Sequence, residues 1–104
     1  MSRYNIEITE PAENDLYEIG SYIAEELLEP EVAKEIVNKI ADAILSLEDM
    51  PLRNKVVADE KLALQGIRRI FSDNYIVLYI ITEENKTVTI VRILFAGRDW
   101  VNLL

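Results

Sequence analysis

Between Gly66 and Phe95 the chain runs through three segments dominated by β-branched and aromatic residues: 67–71, 75–82 ("YIVLYIIT") and 87–95 ("TVTIVRILF"). Such residues favour a pleated, half-buried backbone. "SDN" and "EENK" between them are turn chemistry, so the three segments form a β-meander. Side chains alternate between faces along a strand, and in 75–82 both faces are apolar. Tyr75, Val77, Tyr79 and Ile81 share one side; Ile76, Leu78, Ile80 and Thr82 share the other. Nothing else in the sequence constrains the fold as strongly as this need to cover a doubly apolar sheet.

The first half of the chain supplies one cover. "YNIEI" (4–8) alternates polar and apolar residues and reads as a short strand ending at Thr9. Thr9 suits a helix N-cap, with Glu10 and Pro11 in the first turn, where an acid favours the dipole and a missing N–H costs nothing. Ala12, Leu16, Ile19, Ile23 and Leu27 then recur at helical spacing. "EPE" at 29–31 breaks this stripe. A second one follows in Ala33, Ile36/Val37, Ile40, Ala41, Ile44 and Leu47, until Pro51 stops it. So short a connection predicts an antiparallel helical hairpin. Residues 52–65 read as a connecting loop with a helical turn around "KLALQ". The expected architecture is a two-layer α+β domain over 1–104, in the order β-α-α-β-β-β, with the hairpin on one face of an antiparallel sheet. The second sheet face is then an exposed apolar surface that marks a partner, a homodimer or a covering tail being the structural alternatives.

Arg68 and Arg69 are adjacent in the first meander strand and must point to opposite faces. A buried guanidinium has to find carboxylates or carbonyls, and Asp15, Glu18 and Asp42 on the helices offer carboxylates. One of the two arginines is therefore expected to anchor toward the helical layer and the other to meet partners, without the sequence saying which. Arg92 lies in the last strand and Arg98 just past it. In "GRDW" (97–100), Gly97 allows a turn, Asp99 can bond local backbone and Trp100 can pack over an edge.

Several classes are disfavoured by composition. The net charge is −8, and residues 1–50 hold 3 Lys/Arg against 13 Asp/Glu, while 51–104 hold 8 against 6. A general nucleic-acid binder carries clustered basic residues instead. There is no cysteine and no histidine, so disulfides, thiolate metal sites and the commonest general base are absent. No metal set, P-loop or Ser/His/Asp arrangement is present, no cofactor is expected, and no apolar run approaches a membrane span or signal peptide. A cytoplasmic location is expected.

With these elements in order, the chain resembles the RelE/ParE superfamily of type II toxins. "PAENDLYEIGSYIAEEL" is similar to the family's first helix and "EPEVAKEIVNKIADAILSLEDMP" to its second. "GIRRIFSDNYIVLYIIT" and "VTIVRILFAGRDW" resemble its central and closing strands. The ParE-like branch is the nearer match. RelE-like members commonly carry Arg directly after the Tyr that opens the third strand, and Ile76 stands there. Their terminal catalytic Tyr or His has no counterpart after Asp99, and the family's His before the "RD" pair is Phe95.

The resemblance implies the toxin of a toxin–antitoxin (plasmid stabilisation) system, neutralised by a cognate antitoxin and acting by inhibition of DNA gyrase, without enzymatic chemistry. The implied contact residues are Arg68, Arg69, Arg92, Arg98, Asp99 and Trp100. The alternatives are a RelE-type endonuclease acting on messenger RNA at the ribosome, with Arg98 as its catalytic cation, or a decayed, non-toxic homologue.

Overall fold

The computed structural model describes residues 3–103; Met1, Ser2 and Leu104, at the limits of the expected domain, lie outside the described residues. The elements are β1 (Asn5–Ile8), α1 (Glu10–Ser21), α2 (Pro30–Ser46), α3 (Glu60–Leu64), β2 (Arg68–Ser72), β3 (Tyr75–Thr82) and β4 (Thr87–Phe95). The expected β-α-α-β-β-β order holds, with α3 forming the turn expected around "KLALQ". The sheet runs β1-β4-β3-β2. β2, β3 and β4 are antiparallel, whereas β1 lies parallel to β4, so the sheet is mixed. A period-two pattern tells which side chains face a core but not which way a strand runs.

Thr9 starts α1 as expected, its Oγ1 accepting from the Ala12 N–H at 3.3 Å. The same hydroxyl lies 2.8 Å from the Ile90 carbonyl and 3.1 Å from that of Val91, so the cap also joins α1 to β4. Ala12, Ile23, Ala33, Ile40, Ile44 and Leu47 are buried as their spacing demands. Leu27 is the exception, at 52% exposed. Residues Tyr22–Glu26 form a π-helical turn, closed by Leu27 N–H to the Tyr22 carbonyl at 3.1 Å. Each such turn inserts an extra residue into the helical phase, which rotates Leu27 off the buried stripe.

The helical hairpin packs on the face carrying Val77, Tyr79, Val88, Ile90 and Ile93. The opposite face is not open. Ile76 and Leu78 are 1% and 0% exposed, covered by Val57, Leu62 and Ile67 from the α3 segment, with Trp100 and Val101 of the tail packed alongside. The expected exposed apolar face is therefore corrected: the connecting loop and tail, which show no long periodicity, supply the second cover. That burial needs no second copy of the chain.

β4 changes phase midway. Leu78 pairs with Arg92 but Tyr79 with Ile90, leaving Val91 as an extra residue, a β-bulge. Ile90 and Ile93 thereby both face the helical layer. No helix among the described residues is long and apolar enough to cross a membrane.

Candidate functional site

Arg68 is the anchoring arginine. It lies opposite Tyr79 in the ladder, and its Nη1 donates to the Asn54 carbonyl at 2.5 Å and to that of Leu52 at 3.5 Å. Tyr79, wholly buried, donates from its hydroxyl to the Pro51 carbonyl at 2.7 Å. The two side chains pin the 51–54 turn that follows α2, satisfying carbonyls that the turn leaves without backbone partners. Burial raises the Tyr79 phenol above its ordinary pKa. Arg69 points the other way and stacks on Phe71, its guanidinium carbon 5.5 Å from the ring centroid. Phe71 is 54% exposed.

Arg92 is held by Asp15 on α1. Its Nε donates to Asp15 Oδ2 at 2.6 Å and its Nη2 to Oδ1 at 2.9 Å, a two-point fork. Asp15 Oδ2 also accepts from the backbone N–H of Ile93 at 3.0 Å. The carboxylate raises the guanidinium's pKa further above its usual value, against the opposing effect of desolvation. Asp15 thus meets Arg92, not the Arg68–Arg69 pair for which helical carboxylates seemed available.

Arg92 and Arg98 line one groove of about 770 Å³ between α1 and the end of β4, with Asp15, Glu18, Tyr22, Tyr75, Phe95 and neighbouring aliphatic side chains. Tyr75 and Phe95 meet edge to face, centroids 5.8 Å apart. Gly97 permits the Phe95 ring to lie against the backbone, since a Cβ there would come within 2.6 Å of it. Arg98 is exposed. Asp99 accepts from Asn102 Nδ2 at 2.6 Å, and Trp100 packs against the second core.

The six expected contact residues therefore do not form one site. Arg92 and Arg98 share the groove, Arg69 lies on the far edge strand, and Arg68 and Trp100 are engaged in the fold. The aromatic walls Tyr22, Tyr75 and Phe95 were not singled out as a unit from sequence: Tyr22 lies in the π-turn after α1, Tyr75 opens β3 and Phe95 ends β4, and only the fold brings them together. No cluster of metal ligands exists among the described residues.

Solved structures of other proteins share this fold. A chain of the chromosomal ParDE toxin–antitoxin system from P. aeruginosa superposes with a TM-score of 0.75 at 20% identity, over 91% of this chain and 98% of that one. The RelBE2 toxin–antitoxin complex of Mycobacterium tuberculosis gives 0.65 at 23%, over 89% and 98%. A mutant of the E. coli toxin RelE in the free state gives 0.66 at 15%, over 97% and 92%. Among curated proteins no match was found. The family described as "ParE toxin of type II toxin-antitoxin system, parDE" matches residues 6–100. Matched across nearly its whole length, the chain belongs to the ParE toxin family, within the RelE/ParE superfamily.

Proposed function

We propose that this protein inhibits DNA gyrase in the cytoplasm, by binding and without catalysis, and that a cognate antitoxin holds it inactive in a plasmid-stabilisation role. The observation that carries the reading is how the groove's cations are used. Arg92 is tied to Asp15. Ile76, where RelE-like members carry Arg, is buried beneath α3 and the tail. Cleavage of RNA through its 2′-hydroxyl needs a base and a cationic stabiliser for the phosphorane. Arg98 could serve as the second, and the chain has no histidine to serve as the first. Antitoxin partnership is supported by the two similar structures described as a ParDE system and a RelBE2 toxin–antitoxin complex.

Two assays on one preparation test this. The purified protein is expected to block gyrase supercoiling of relaxed plasmid and to leave messenger RNA on translating ribosomes uncut in primer-extension mapping. Ribosome-dependent cuts that vanish in Arg98→Ala, alongside unimpaired gyrase, would replace this reading with the endonuclease.

A further inference from the structure

An exposed, strained apolar residue lies beyond each end of α2. Leu28, shortly before Pro30, and Met50, shortly after Ser46, hold φ of 55° and 52°, in the left-handed region where glycine is the default residue. Their side chains are 79% and 66% exposed, so no burial within the chain offsets the strain. Outliers of this kind cluster at positions that hold a partner or a ligand. Each sits in an apolar patch. Every residue from 25 to 32 is exposed, Leu27 and Leu28 among them; beyond the other end, Leu45 and Leu52 join Met50, at 54% and 53% exposed. The patches differ in charge. Glu25, Glu26, Glu29 and Glu31 flank the leucines, and Lys34, 3.9 Å from Glu31, is the only cation between residues 4 and 38. Near Met50, Arg3 neutralises Glu48 and Asp49 at 3.4 and 3.3 Å. Arg53 and Lys55 make no ion pair among the described residues, and the Arg69 N–H donates to the Lys55 carbonyl at 3.2 Å, bringing a third cation to that end.

We infer that the two patches are the halves of one contact: the acidic hairpin tip (25–32) of one copy docks head to tail on the basic 50–55 turn of a second copy. α2 has 17 residues and spans about 25 Å at about 1.5 Å per residue, so a tip cannot reach the turn of its own chain. Tip against tip, or turn against turn, brings like charges together. Only the unlike pair joins apolar surface to apolar surface and carboxylate to cation. The same carboxylates turn the tip away from nucleic acid and anionic lipid. The net charge of −8 opposes association at a distance, but physiological salt screens that repulsion beyond about 8 Å, and at contact the local pairs decide. Because the two surfaces differ, the contact is heterologous and leaves one tip and one turn free at every step. Association therefore grows with concentration and does not stop at a dimer.

The test involves neither gyrase nor an antitoxin. In sedimentation equilibrium from micromolar to millimolar concentration, the purified protein should reach a weight-average mass that passes the dimer without a plateau. Leu27→Gln/Leu28→Gly removes the apolar surface of the tip, and Met50→Gly/Lys55→Glu disables the turn. In both, glycine replaces a residue at positive φ, so circular dichroism should show each variant folded. Burying a leucine is worth about tenfold or more in an equilibrium constant, and each variant alone should associate weaker than the parent by about that factor. Glu26→Lys, at an exposed position, is a milder tip variant and should weaken association about two- to fivefold, the worth of an exposed ion pair. An equimolar mixture of the two double variants still holds one intact tip and one intact turn, and should form a dimer and nothing larger. A parent that stays monomeric at millimolar concentration, variants that associate as the parent does, or a mixture no heavier than its components would overturn the inference.

Discussion

Replacing Asp15 by alanine is the most informative single perturbation of this fold. The carboxylate accepts two charged hydrogen bonds from Arg92 and a third from the Ile93 amide. The Asp15 and Arg92 side chains are 12% and 26% exposed, between the surface and buried regimes. Removing one partner of a fully buried ion pair costs about 3–5 kcal/mol, and an exposed pair about 0.2–1 kcal/mol. Arg92 can turn partly to water, which places the ionic loss near 2 kcal/mol; the vacated Ile93 N–H, able to find water in the groove, adds about 1 kcal/mol. Asp15→Ala should therefore destabilise by about 3 kcal/mol. Asp15→Asn keeps an acceptor for the amide and should lose roughly half as much. Urea unfolding followed by circular dichroism reads both, and a cycle with Arg92→Met isolates the pair. An Asp15→Ala midpoint within about 0.5 kcal/mol of the parent, or a cycle with no coupling, would show that the fork does not hold α1 to β4.

Tyr79→Phe strips the buried Pro51 carbonyl of its donor and should cost about 1–3 kcal/mol in the same unfolding assay. Because the native phenol is raised, the unfolded chain ionises first; stability should fall as pH rises above about 10, and Tyr79→Phe should flatten that slope. Leu28 holds φ 55° while 79% exposed, so Leu28→Gly should relieve left-handed strain and raise stability by about 1 kcal/mol; a lower melting temperature would contradict this. Ile40, wholly buried in the principal core, should lose about 2–5 kcal/mol on truncation to Ala, whereas Glu26→Ala should stay within about 0.5 kcal/mol. Equal melting shifts for the two would mean that α2 presents a different face.

The helical stripes, the caps and the meander were legible because each is a local pattern of period 3.6 or 2. The π-turn was not, since nothing in "YIAEE" marks an inserted residue, and Leu27 was misplaced as a result. For the second face, the covering tail was one alternative and Trp100 its candidate, but Val57, Leu62 and Ile67 are scattered without period, and only tertiary contact makes them a layer. Among candidate site residues, the opposed directions of Arg68 and Arg69 followed from alternation, but which one anchors depended on carbonyls released by the 51–54 turn. The Asp15–Arg92 fork joins residues 77 positions apart, beyond any sequence window.

The bulge at Val91 separates two kinds of genetic change. Were β4 to run through position 91 without bulging, the alternation that sends Val88 and Ile90 to the helical layer would continue into Arg92 and Leu94, driving a guanidinium into the principal core in place of Ile93. The Val91 side chain itself is only half-buried. Substitutions at 91 should therefore be tolerated widely, and a one-codon deletion there leaves a regular strand with Ile90 and Ile93 still on the helical face, whereas a one-codon deletion at Thr89 would turn Ile90 away from that face.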